Sequence, residues 1–373
     1  MAKVKLGEVA REYKATVKDA VDLPVVGLEH LIPGQVELIQ WSEDADNTFT
    51  KGFKKGQMLF GRRRAYLKKA ALAPFDGICS GDITVIEAIP ERIMPELLPF
   101  VIQNDSLFDY AVEKSAGSLS PRVKWEHLKN YEFELPEMEH QRELVDLLWA
   151  MTRTKKAYQE LVKQTYELVK SQFIEMFGVP AENAHGYEIA RIGDVVCDVH
   201  YGTSKKASDD GEYTYLRMNN ITYGGELDLT DTKRISISEK ELAGCIVKKG
   251  DVLFNRTNSR DLVGKTCAFN LDEPMIIAGY IIRLRMNGRV LPEYLSTFLN
   301  LDSSKKMLFE MAKGAVGQAN INAQEVQSIQ IVVPPIEMQL PFQRLVEQSD
   351  KSKFELTQAI SRIDDMIKAL MQG

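Results

Sequence analysis

Leu135-Pro136-Glu137-Met138-Glu139-His140-Gln141 returns 198 residues later as Val333-Pro334-Pro335-Ile336-Glu337-Met338-Gln339, and each copy opens a long charged stretch without glycine before its end. Working outward, two more pairs keep the same order. Leu6-Gly7-Glu8-Val9 returns as Ile192-Gly193-Asp194-Val195, offset by 186, and Gly56-Gln57-Met58-Leu59-Phe60 as Gly250-Asp251-Val252-Leu253-Phe254, offset by 194. Offsets that grow by 8 and then by 4 are what loop insertions in a second copy produce. Three matches in one order mark an internal duplication.

Each copy has two parts. The first, residues 1–135 and 184–333, mixes short β-rich runs such as Asp82–Ile86 and Ile276–Ile282 with helical spacing at Leu97–Tyr110 and Pro292–Met311. The second, residues 136–178 and 334–373, steps alternately by four and three. One seam runs Leu144, Leu148, Met151, Lys155, Tyr158, Val162, Thr165, Val169. The other runs Leu345, Ser349, Ser352, Leu356, Ala359, Ile363, Met366, Leu370. This is coiled-coil spacing, in helices roughly 50–60 Å long. Neither seam is wholly apolar, so each helix alone is marginal. Pairing the two is the economical solution, since each buried Leu, Ile or Met contributes on the order of 1.5–3 kcal/mol. Gly178-Val179-Pro180 ends the first helix. Pro341, two residues after Gln339, predicts that the second helix starts later than the first.

The chain of 373 residues holds 44% hydrophobic and 27% charged residues, ordinary for a globular protein. No apolar run of membrane-spanning length is present and no signal core follows the N-terminus, so a cytoplasmic protein is expected. Four scattered cysteines (Cys79, Cys197, Cys245, Cys267) suit reduced, buried thiols rather than zinc or disulfides. The five histidines show no metal spacing, and the phosphate-binding and methyltransferase glycine loops are missing. The chain is expected to catalyse nothing and to hold no metal or cofactor.

The net charge of −6 argues against nucleic acid until its distribution is considered. Lys51–Lys69 holds eight basic residues and no acid, which gives one basic face on an acidic chain. After Phe60 come Arg62, Arg63, Arg64, Tyr66, Lys68 and Lys69; after Phe254 come Arg256, Asn258 and Arg260. Arginine bonds guanine edges in pairs, asparagine and glutamine bond adenine, and lysine suits phosphate. A matched scaffold with altered tips is what two readers of different sequences need. A second pair of loops lies just before each long helix, with Lys114, Ser118 and Arg122 in one copy and Lys313, Gln318 and Asn320 in the other. Lys205, Arg217, Asn219 and Asn220 add a polar group to the second copy. A coiled-coil scaffold that binds proteins alone accounts for the repeat and the helices but leaves the basic stretch unexplained.

With the two Leu/Val-Pro-x-apolar-Glu-x-Gln junctions and the Phe173-Ile174-Glu175-Met176-Phe177-Gly178 helix end, the whole chain resembles the specificity subunits of type I restriction-modification systems. The resemblance implies an α+β fold with two tandem mixed target-recognition domains, each followed by a long helix. It implies that the helices pair as an antiparallel coiled coil with pseudo-two-fold symmetry. It further implies a bipartite, asymmetric target in double-stranded DNA, with the helices acting as a ruler for the spacer. The implied partners are two modification subunits, carrying S-adenosylmethionine chemistry, and restriction subunits that use ATP and magnesium.

Overall fold

The fold was analysed in a computed structural model that describes residues 2–17, 23–43, 48–117, 119–312 and 318–372. The expected sites Ser118 and Lys313 lie outside the described residues. The chain forms two compact units: residues 1–159 with 358–373, and residues 160–357. Each unit therefore contains a globular layer and part of both long helices. This differs from the sequence division, which set the helices apart as separate segments.

In the first unit an antiparallel sheet runs in the order Ala10–Glu12, Ile83–Ala88, Met58–Gly61, Ala70–Leu72. In the second the order is Val196–Tyr201, Ile281–Met286, Asp251–Asn255, Thr266–Phe269. These are the same four strands, and the second sheets share a parallel and an antiparallel pair, with the extra strand Lys233–Ile235 in the second unit. Val25 pairs in parallel with Ile78, and Tyr215 in parallel with Ile276. An N-terminal strand pairs antiparallel with the strand before each long helix: Ala2–Lys5 with Glu132–Leu135, and Glu188–Arg191 with Gln330–Val333. The matched Gly56 and Gly250 both adopt left-handed turns, at φ 83° and 91°, where a side chain would be strained.

The first long helix spans Met138–Phe177 and the second Ile336–Gln372. Each unit shows the pairing to be antiparallel. In the first unit Leu144, Leu148 and Trp149 share a core with Ile367, Leu370 and Met371, and Lys155 pairs with Asp364 at 2.5 Å. In the second unit Phe173 and Phe177 pack edge-on against Phe342, both at 5.5 Å between rings. The first seam is the less exposed stripe of its helix. The second seam needs correcting at two positions: Ser352 and Met366 are exposed, and their neighbours Lys353 and Ile367 face inward. A lysine stands in the seam because Glu226 and Asp350 pair with it, which a hydrophobic pattern cannot reveal.

The late start expected for the second helix is also corrected. It begins at Ile336, in step with Met138, and Pro341 lies inside it. Proline removes one helical hydrogen bond. The turn is nevertheless held on both sides of Pro341, by the buried Gln339 side chain and by Phe342 in the aromatic core. At the other helix end Gly178 takes φ 78° and its N–H closes on the Ile174 carbonyl at 2.8 Å. The cysteines are free; Cys79, Cys245 and Cys267 are buried, but Cys197 is exposed, contrary to the expectation for all four.

Candidate nucleic-acid interface

The repeated junction glutamines are buried, Gln141 at 1% exposure and Gln339 at 0%. Gln141 donates to the Pro136 carbonyl at 2.8 Å and accepts from the Met94 N–H at 2.9 Å. Gln339 repeats both contacts, donating to the Pro334 carbonyl at 2.8 Å and accepting from the Leu291 N–H at 2.9 Å. It also donates to the Arg289 carbonyl at 3.1 Å. Each glutamine thus fastens a helix start to the globular layer beside it, so the rod and the loops of that unit share one frame.

On that frame, the two loops singled out in each copy come together. In the first copy the Val123 N–H donates to the Arg62 carbonyl at 3.0 Å, and the Arg62 N–H to the Asp82 carbonyl at 3.0 Å. In the second the Ile321 N–H donates to the Arg256 carbonyl and the Arg256 N–H to the Tyr280 carbonyl, both at 2.9 Å. Arg63 bridges Arg122 through the backbone, and Thr257 pairs with Asn320 at the matched place. The backbone is the same; the side chains are not. In the first copy Asp82 is gripped by Arg122, at 2.6 and 3.2 Å, and by Arg63 at 3.4 Å. In the second Tyr280 stands where Asp82 was, and Thr257 donates to Asn320 at 3.2 Å instead.

The Arg122 hydrogen bond, helped by the charges of Arg122, Arg63 and Arg62, holds the Asp82 carboxyl below the usual range against the opposing effect of burial. The matched Arg62 and Arg256 both carry a buried Nε that has no hydrogen-bond partner among the described residues. Buried donors are rarely left so. The Arg256 guanidinium lies over the Tyr201 ring, 4.8 Å from its centre, a cation–π contact at the loop. Arg64 is exposed in a left-handed conformation, with its N–H on the Pro121 carbonyl at 2.8 Å. Tyr66 is exposed beside it, and Leu119 at 92% exposure tips the neighbouring loop.

Other expected site residues have protein partners. Lys68 pairs with Asp105 at 2.6 Å, and Lys69 donates to the Leu28 carbonyl at 2.7 Å. Lys114 pairs with Glu113 at 2.7 Å, and Lys205 with Glu241 at 2.6 Å. Arg260 lies over the Phe309 ring at 4.3 Å. Asn258 donates to Asn255 at 3.3 Å, while Gln318 is exposed. Arg217 and Asn219 both reach Asp231, at 2.9 and 3.3 Å. Asn220 differs from the exposed contact expected of it: at 1% exposure it bonds the Asp228 and Asp231 carbonyls and the Arg217 N–H, so it shapes its loop. Sequence reasoning missed Asp82, Tyr201 and the junction glutamines as organisers. Only the glutamines left a trace, by recurring.

Among the described residues no group of three or more His, Cys, Asp or Glu side chains is placed to hold a metal ion, and no helix is long and apolar enough to cross a membrane. Residues 185–362 match the family described as the type I restriction modification DNA specificity domain. The chain is 25% identical over 186 residues to the specificity subunit of the type I restriction enzyme EcoKI of Escherichia coli K12, covering 48% of this chain and 40% of that one. It is 24% identical over 190 residues to a putative MjaX specificity subunit of Methanocaldococcus jannaschii, covering 50% and 44%. The matches thus span less than half the length of these curated relatives. A solved type I restriction-modification S subunit from M. genitalium aligns with 100% of this chain and 96% of its own, with a TM-score of 0.57 at 12% identity. A structure described as the basis of complex assembly and conformational transition of the type I R-M system gives a TM-score of 0.52 at 21% identity, over 99% and 96%. Both likenesses are of fold. The two-copy architecture, the junctions and the matched domain point the same way: residues 185–362 match the type I restriction modification DNA specificity domain, and the chain is similar to type I specificity subunits.

Proposed function

We propose that this chain reads a bipartite, asymmetric target in double-stranded DNA, one half-site with each copy, and does no chemistry itself. The observation that carries the proposal is the matched loop pair. The same backbone hydrogen bonds hold Arg62 beside Val123 and Arg256 beside Ile321, while an Arg-Asp-Arg cluster in one copy becomes Thr, Tyr and Asn in the other. Kept backbone contacts with altered side chains at the tips suit two readers of different sequences better than a scaffold binding a single ligand twice. Arg62 and Arg256, each with a buried donor that lacks a partner among the described residues, are the residues we assign to base or phosphate contact. Arg64, Tyr66, Arg122, Asn258, Arg260, Gln318 and Asn320 flank them. Lys68, Lys69, Lys114, Lys205, Arg217 and Asn219 act at most as phosphate contacts that first leave an internal partner.

The first long helix, continuous over 40 residues and so about 60 Å long, sets the spacer between half-sites. The same reading gives the chain two modification subunits and restriction subunits as partners in the cytoplasm. S-adenosylmethionine, ATP and magnesium belong to those partners, and this chain requires none of them. The test is selection of duplexes from a random library by the full chain, followed by Arg62→Ala and Arg256→Ala. Each variant is expected to lose about 1–3 kcal/mol of discrimination in one half of the motif. Loss in both halves, or in neither, refutes the assignment of one copy to one half.

A further inference from the structure

An ion cluster around a buried lysine lies in the second unit, apart from the loop pair. Lys353 is 6% exposed in the helix seam. Its Nζ lies 2.5 Å from Glu226 and 2.9 Å from Asp350, and 4.2 Å from the centre of the Tyr166 ring. The Tyr166 hydroxyl donates to Glu226 as well. Lysine and tyrosine come from the two long helices, but Glu226 belongs to the globular layer, in the loop that follows Met218–Asn220. That loop is closely fitted to the helix: a Cβ added at Gly224 would stand 2.7 Å from the Tyr166 ring. It is tied back to the polar group as well. Asn220 bonds the Asp228 and Asp231 carbonyls, and Asp231 holds Arg217 and Asn219. Lys265, buried nearby in sequence from the Arg256 loop, donates to the Met218 carbonyl at 2.7 Å.

The first unit repeats the arrangement at the matched position. Lys155 stands 198 residues before Lys353, is likewise mostly buried, and comes from the other helix. It pairs with Asp364 across the seam at 2.5 Å and reaches the Gly34 carbonyl at 3.4 Å. The next residue, Lys156, lies 3.7 Å from Glu37. Gly34 follows the short turn Leu28–His30 as Gly225 follows Met218–Asn220, and both glycines are left-handed, at φ 76° and 89°. The same loop is thus held by the same helix position in both copies, through different atoms.

A charge is costly to bury in a helix seam unless it is fully partnered. Its return at one matched position, each time directed at one matched loop, is not accounted for by helix pairing alone. We infer that Lys155 and Lys353 are positioning residues, latching the loop at Gly34 and the loop at Glu226 to the helices and so fixing how each copy presents its reading residues. This rests on the DNA-reading function proposed above.

The test uses the full chain in two measurements. In hydrogen exchange, Lys353→Met and the milder Glu226→Gln are expected to speed exchange of the amides at 222–228 by roughly tenfold, the loss of about one buried hydrogen bond. Exchange in Ile281–Met286 should be unchanged. In duplex selection from a random library, Lys353→Met is expected to relax only the half-site altered by Arg256→Ala, and Lys155→Met only the other. Lys353→Arg, which keeps the charge, should restore part of the selectivity. Slow exchange at 222–228 in both variants, or an unchanged motif with weaker binding throughout, reduces the lysines to stabilising residues and overturns the inference. A wild-type chain that selects no motif at all overturns the DNA-reading proposal instead, while the exchange result still stands or falls on its own.

Discussion

Asp82→Asn should lower stability and raise non-specific DNA affinity together. Asp82 is mostly buried, and it receives three guanidinium contacts at 2.6, 3.2 and 3.4 Å. A hydrogen bond to a charged group contributes about 1.5–3 kcal/mol. Both arginines are around two-fifths exposed, which screens the charge, and asparagine still accepts one bond. A loss of about 1–2 kcal/mol follows, or about 3–6 °C in Tm for a unit of this size. The pH dependence carries the same signature. The folded carboxyl sits below its unfolded value, so its stabilisation is complete above the unfolded carboxylate range and is lost as pH falls through the lower folded value. Asp82→Asn should remove that acid-side dependence. Releasing Arg63 and Arg122 from a carboxylate also leaves the loop more positive, so binding of a random duplex should tighten at low salt and lose the gain at high salt. Calorimetric melting at several pH values, with fluorescence anisotropy on a random duplex, measures both. A Tm within about 1 °C of wild type, or weaker binding of random DNA, refutes the reasoning.

Two other outcomes are expected. Gln339→Ala removes three hydrogen bonds and leaves the Leu291 N–H unmet in a buried junction, so it should cost about 2–4 kcal/mol, read as a lower urea midpoint with an unchanged slope. Four residues inserted after Gln159 lengthen the first helix by about 6 Å; the preferred spacer should change by about two base pairs, and an unchanged spacer in selected duplexes counts against the ruler.

The duplication was legible because it is written in backbone-determining residues. Turn glycines at 56 and 250, the Leu-Gly-Glu-Val starts and the junction glutamines recur where strand, turn and helix must recur. The three-four spacing found the two long helices and the whole first seam, since burial along a helix follows its period. It failed at Lys353 and Pro341, where side chains distant in sequence override the local pattern: Glu226 partners the lysine, and Phe173 and Phe177 hold Phe342 beside the proline. The site divides in the same way. Arg62 and Arg256 could be named from their place after a repeated strand, because that placement is local. Asn220 read like a contact residue and proved to be a pin, and Asp82 went unnoticed among strand residues. Whether a polar group faces solvent or a carbonyl depends on chain segments brought beside it by folding. Composition and spacing therefore determined what this chain is built from, and only tertiary structure decided which of its charges are already engaged and which lack a partner among the described residues.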